Sequence, residues 1–325
     1  MAVSFSPTAT SESAQTRSLT RRARWGEVVS EAAVKIIALT SIASVILILV
    51  FVGKEALPVL TSPEVHKEVT FGSMLTPSDA GYVWQPVSEI PKYNIVPLFL
   101  GTLKVTIVSL LFAVPLSIAA AVYVAEFAGK RARELVKPAI ELLAGIPSVV
   151  VGFFALVVLA TWIQHAFGTE HRLNTLVAGV ALSFATIPVI FSVSEDALRA
   201  VPDSFRQAAI ALGSTKSHVV MRVVLPAAAP GIAAAIVLGF GRAIGETMIV
   251  ILATGNAAML DWSLEHSVRT VTATIAQELG EVVVGSAHYH VLFFLGALLF
   301  LSTLAVNMGG ERIVGRMRRK LVGGK

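Results

Sequence analysis

Six long apolar blocks constrain what this chain can fold into. They run about Ile36–Val52, Val96–Val124, Ile140–Ile163, Leu176–Val193, Ile232–Ala253 and Val291–Val306. A hydrocarbon core needs about 20 helical residues to cross, with a range of about 17–25. Lipid offers backbone N–H and C=O groups no water, so a span of this kind must be helix. The sixth block reaches sufficient length by running on through Asn307 and Met308, and Pro115 in the second predicts a tilt or kink. The predicted fold class is an all-α membrane protein with about six transmembrane helices. Composition agrees, with 14% charged residues against about 25% in soluble domains.

The basic residues orient the spans. With the N-terminus inside, segments 1–35, 125–139, 194–231 and 307–325 hold 5, 4, 4 and 6 Lys/Arg, 19 in all. The opposite segments 53–95, 164–175 and 254–290 hold 3, 1 and 1, or 5 in all; Lys104 and Arg242 lie within spans and complete the 26. Cytoplasmic loops are the basic ones, so both termini are predicted to be cytoplasmic. The +5 net charge is therefore assigned to lipid and topology rather than nucleic acid. With no cysteine, disulfides, thiolate metal sites and cysteine nucleophiles are excluded. The predicted organisation is a disordered cytoplasmic tail at 1–31, a first span with its outer loop at 32–95, a five-helix core at 96–308 and a basic tail at 309–325. The core includes a cytoplasmic loop at 194–226.

That loop contains Val201–Pro226, VPDSFRQAAIALGSTKSHVVMRVVLP. Asp203 or Ser204 is placed as N-cap, Gly213 as the residue ending the first helix, and Ser214 or Thr215 as the next cap. Pro226 is predicted to stop the regular hydrogen bonding of the second helix, and the fifth span follows. Phe205, Ala208, Ala209 and Leu212 share one face at helical spacing. Two readings stand: a ridge that inserts into a partner's groove, or a hairpin lying on the protein's own bundle.

The fifth block carries Arg242 near mid-membrane and Glu246 four residues on, predicted to lie on one helix face. Charge inside a membrane is a functional candidate by default, and the alternative is a structural pair. Gly239, Gly241 and Gly245 surround it, with Gly241 and Gly245 in a small-xxx-small step that favours close helix approach. These glycines and Pro147, which predicts a kink in the third span, are candidate gate or hinge residues.

Weaker features divide the same way. Glu141 is placed in the first turn of the third span, where the helix dipole favours a carboxylate. Lys104 is read as snorkelling to the outer interface, with anion attraction as the alternative. His288 and His290 flank Tyr289 at an interface and lack a third metal ligand nearby, so no metal site is assigned. The chain has no G-x-x-x-x-G-K-[ST] phosphate loop. It is predicted not to be an enzyme, and any ATP-derived energy must come from another subunit.

Gln207-Ala208-Ala209, then Gly213, then Val223, Leu225 and Pro226, resemble at matching spacing the EAA loop of ABC-importer permeases. Gln207 stands for the usual Glu and Val223 for the usual Ile. Arg242–Thr247, RAIGET, together with ELLAGIPSVVVG at 141–152 and MIVILATGN at 248–256, resembles the PstC-type permeases of phosphate-specific ABC importers. The resemblance implies a type I ABC-importer permease (MetI-like) fold and import of inorganic phosphate across the bacterial inner membrane. It implies Arg242 and Glu246 as pathway residues, and Phe205, Gln207, Ala208, Ala209, Leu212, Gly213, Leu225 and Pro226 as the ATPase-docking segment. The implied partners are a homologous second permease, two ATPase subunits and a periplasmic phosphate-binding protein. No cofactor is expected on this chain, and ATP and Mg would sit on the ATPase. The alternatives are a permease for sulfate, molybdate or phosphonate, or an ion-coupled secondary transporter.

Overall fold

Lipid leaves the backbone no partner but itself, and the chain is helical along most of its length. The computed structural model describes residues 25–321. It divides into two compact units, residues 1–50 and 51–325. Most of the expected tail 1–31 lies outside the described residues; from Trp25 onward the chain is already helix.

The elements are α1 (Trp25–Ala56), the short α2 (Pro58–Thr61), α3 (Pro63–Glu68) and α4 (Phe71–Leu75), and a hairpin of β1 (Trp84–Gln85) and β2 (Lys92–Tyr93). There follow α5 (Val96–Val122), α6 (Lys130–Ala144), α7 (Ser148–Phe154), α8 (Ala160–Phe167) and α9 (Thr175–Arg199). The chain ends with α10 (Asp203–Ala211), α11 (Lys216–Val219), α12 (Leu225–Gly245), α13 (Met248–Ala253), α14 (Val271–Glu278) and α15 (Ala287–Leu321). Among the described residues six helical stretches are long and apolar enough to span: Val29–Thr61, Val96–Phe127, Ser148–Phe167, Thr175–Arg199, Lys216–Ile244 and Ala287–Arg319. The side chains of Leu39, Leu47 and Val50 on α1 are exposed; lipid is the solvent for such a surface.

Several boundaries differ from expectation. The third span begins at Ser148 rather than Ile140, because Lys130–Ala144 is a separate amphipathic helix with no buried residue. Gly145–Pro147 separates the two helices. Pro147 is the residue before α7, so it marks a break between helices rather than a kink within one. Glu141 falls in the last turn of α6, which removes the helix-start argument made for it. At Pro226 the regular α-helical hydrogen bonding is interrupted, but the chain stays helical. A π-helical turn at Val220–Val224 precedes it and carries α11 into α12. Such a turn accommodates the missing N–H and the bulk of the ring. Residues 309–321 continue α15. Helix α5 runs through Pro115 to Val122 and ends in a π-helical turn, whose Val124 and Ala125 carbonyls accept Arg133 Nε and Nη2 at 3.1 and 2.9 Å.

Helices α5, α9 and α12 form the centre. Buried Val177, Ala178, Ala181 and Leu182 of α9 pack with Val105 of α5 and Ala243 of α12. Gly239 is where α12 meets α9 most closely: a Cβ there would lie 2.5 Å from Ile190 Cγ1. Of the predicted close approach at Gly241 and Gly245, a Cβ at Gly241 would only touch Asn307 Oδ1 of α15 at 3.5 Å, and one at Gly245 would meet nothing within 4 Å among the described residues.

One end of the bundle is capped by residues 57–95 and 254–286. Trp84, Tyr93, Val59 and Met74 are buried there against Leu292 and Leu295. Glu278 is the polar centre of this cap, accepting Trp84 Nε1 at 3.1 Å, Arg269 Nη1 at 2.7 Å and His288 Nε2 at 2.9 Å. His290 instead meets the Glu55 carbonyl at 2.8 Å, so the two histidines serve different contacts. Lys104 reaches this end, as snorkelling requires, but its amine is not in water. It donates to the carbonyls of Asp261 and Ser263 at 2.9 and 2.5 Å and is buried.

Candidate functional site

At the opposite end, α10 and α11 form the predicted helix pair. The first cap position is Pro202 rather than Asp203 or Ser204, and no side chain caps it. Gly213 takes φ +81°, a conformation that a Cβ disfavours, and Thr215 caps α11 by accepting His218 N–H. Phe205, Gln207, Ala208 and Leu212 are exposed, while Ala209 is half-buried against the cluster of Leu198, Val201 and Val224. The four predicted ridge residues therefore do not act together within the chain: Ala209 faces inward and the others remain open. Leu225 is half-buried in the same cluster, and Pro226 is exposed.

Arg206 fixes α10 in place. Its guanidinium donates to Glu126 Oε1 at 2.7 Å, Leu198 C=O at 3.0 Å and Val201 C=O at 2.5 Å. The Glu126 carboxylate, bonded to it, pushes the Arg206 pKa further up. Nearby, fully buried Glu195 pairs with Lys137 of α6 at 2.7 Å and with Arg199. Glu126, Glu195 and Arg206 escaped the sequence reading. Their signal is weak: isolated carboxylates at the ends of apolar runs, each with a basic residue within reach only after folding.

The second candidate site lies where α12 ends. Arg242 is exposed in a groove between Leu238, Gly241 and Gly245 of α12 and Gly296, Thr303 and Asn307 of α15. Its Nε donates to the Ala185 carbonyl of α9 at 3.1 Å. Pro188 has no N–H, so the neighbouring Phe184 carbonyl loses its helical donor in this part of α9. Among the described residues, the two terminal nitrogens of Arg242 have no partner.

Glu246 does not share a helix face with Arg242. Helix α12 stops at Gly245, and Glu246 is extended at φ −71°, ψ 135°. Its carbonyl accepts Thr272 Oγ1 at 2.9 Å, and no ion pair joins it to Arg242 among the described residues. The physical reason is local: Gly245 ends the helix and Thr247–Met248 restart it as α13. That short helix packs on α7, where a Cβ at Gly152 would come within 2.9 Å of Leu252 Cδ1.

Residues 113–320 match the family model described as binding-protein-dependent transport system inner membrane component. The chain belongs to that family. It is accordingly a multi-pass inner-membrane protein. It is similar to a probable ABC transporter permease, YqgH, of Bacillus subtilis, 38% identical over 66% of this chain and 70% of that protein. It is also similar to the phosphate transport system permease PstC of Mesorhizobium japonicum, 32% identical over 82% and 85% of the two chains, and to PstC 1 of Mycobacterium tuberculosis, 34% identical over 70% and 74%. A solved bacterial ABC transporter involved in alginate import aligns at TM-score 0.61 and 17% identity, covering 90% of this chain and 98% of that one. An inward-facing MetNI methionine transporter aligns at TM-score 0.52 and 18% identity, covering 69% and 94%. The expected type I ABC-importer permease (MetI-like) architecture is borne out.

Proposed function

We propose that this chain is a permease subunit of an ATP-driven importer of inorganic phosphate, in which Arg242 contacts the passing anion. The observation that carries the reading is the run of phosphate permease relatives at 32–34% identity over 70–82% of the chain. The Arg242 geometry supports it. Nε is held by Ala185 C=O, which orients the guanidinium plane and leaves both terminal nitrogens facing an open groove. A guanidinium fork presented in that way matches two phosphate oxygens. Glu246 is then not Arg242's resting partner. It is a carboxylate at the helix break that follows α12.

The groove is open on one side, and a homologous second permease would complete it. The α10 end is assigned to the cytoplasm, and both termini with it, on the 19-to-5 distribution of basic residues. Exposed Phe205, Gln207, Ala208 and Leu212 would there enter a groove on one of two ATPase subunits, which would hold ATP and Mg. The capped end would receive a periplasmic phosphate-binding protein. Gly239 would act in packing, and the helix breaks at Pro147 and Gly245 are the candidate hinges.

The test is phosphate uptake by cells carrying Arg242→Gln together with the rest of the complex. Uptake should fall by at least tenfold while co-purification with the ATPase is unchanged. Wild-type uptake in that variant would overturn the role given to Arg242.

A further inference from the structure

We propose that Glu170, His171 and His266 form a divalent-metal site, of zinc-type chemistry, joining the loop before α9 to the loop before α14. One ligand atom from each of the three lies within 4.8 Å of the others. His266 Nε2 is 3.9 Å from Glu170 Oε2. Two ligands of a tetrahedral zinc, each about 2.0–2.1 Å from the metal, stand roughly 3.3 Å apart, so small side-chain rotations close the site. Two imidazoles and a carboxylate with a fourth position open to water form a donor set suited to zinc, rather than to the all-oxygen preference of calcium or magnesium.

The surrounding bonds provide an independent argument. His266 Nδ1 bonds Asp261 Oδ2, which fixes the ring and leaves Nε2 as the free nitrogen, the arrangement that orients metal-bound histidines. Asp261 is itself held, because its Oδ1 accepts Ser263 N–H at 2.7 Å and its carbonyl accepts Lys104 Nζ. The His266 carbonyl accepts Thr175 N–H at 3.2 Å. The His171 carbonyl accepts Asn174 Nδ2 at 2.8 Å, and Asn174 also caps α9. Both histidine backbones are thus tied to the same helix start, and buried Lys104 acquires a purpose as a strut for the loop that carries His266. A metal here would clamp two loops on the end assigned to the periplasm, where a change in their spacing would accompany any opening of α9 against α13. No metal is expected from sequence spacing because the two histidines lie 95 positions apart.

The experiment is equilibrium dialysis of the tag-free, detergent-solubilised full chain against zinc, with bound metal counted by mass spectrometry and its shell read by X-ray absorption. The expected result is one zinc per chain with two imidazole nitrogens in the shell. His171→Ala and His266→Ala should abolish binding, Asp261→Asn should weaken it by about 10–100-fold, and exposed His165→Ala should leave it unchanged. His171 is on the surface, so its variant tests the site without threatening the fold. A wild-type chain that holds no more zinc than His171→Ala, or a bound zinc with fewer than two imidazoles, would overturn the proposal. The result does not depend on which solute the permease carries.

Discussion

At the scale of single residues, the informative charges are the ones the bundle buries. Glu195 is fully buried between Lys137 and Arg199, and truncating one member of such a set leaves cations without a counter-charge. Glu195→Gln should destabilise the chain by about 1.5–3 kcal/mol, the range for hydrogen bonds to charged groups, read from denaturant unfolding in detergent. Tyr93 offers a pH test outside the spans. Burial first, then the charges of Glu68 and Glu278, push its pKa up from 10.0 to about 12. The raised value means the folded state holds the proton more tightly, so this stabilisation is complete below pH 10 and is lost as pH rises toward 12. Tyr93→Phe should flatten the fall in stability across that window, as measured by unfolding midpoints. Arg242 was legible as a charge amid apolar residues. Its relation to Glu246 was not, because helical spacing alone does not reveal that Gly245 ends the helix.

At the scale of elements, α10 is an exposed helix held largely by one side chain. Arg206→Ala should release it: hydrogen exchange across residues 203–211 should rise by at least tenfold while exchange in α9 stays put, and ATPase co-purification should drop. Helix α12 packs so closely on α9 at Gly239 that Gly239→Val should cost about 1–3 kcal/mol through overpacking, measured as a lowered unfolding midpoint. The helix pair, its glycine turn and the Thr215 cap could be read from residue order, since caps and left-handed glycines are local. The inward turn of Ala209 could not, because it depends on where Leu198 and Val224 stand. The boundary of α6 was hidden as well: its last apolar residues, Leu142–Ala144, run toward the next span, and only the Gly145–Pro147 break divides the two helices.

At the scale of the whole molecule, span number and membrane class followed from block length and composition, which are properties of the solvent and need no tertiary knowledge. The cap built on Glu278 and the loop contacts of Lys104 join residues more than 150 positions apart, beyond the reach of any local pattern. On the function proposed above, this bundle passes phosphate only as part of an ATP-driven complex. The most direct test is uptake of labelled phosphate by proteoliposomes holding this chain, the second permease and the ATPase, supplied with the binding protein. Uptake that requires ATP and is not competed by excess sulfate or molybdate is the predicted result. Uptake by this chain alone, driven by a proton or sodium gradient without ATP, would contradict it.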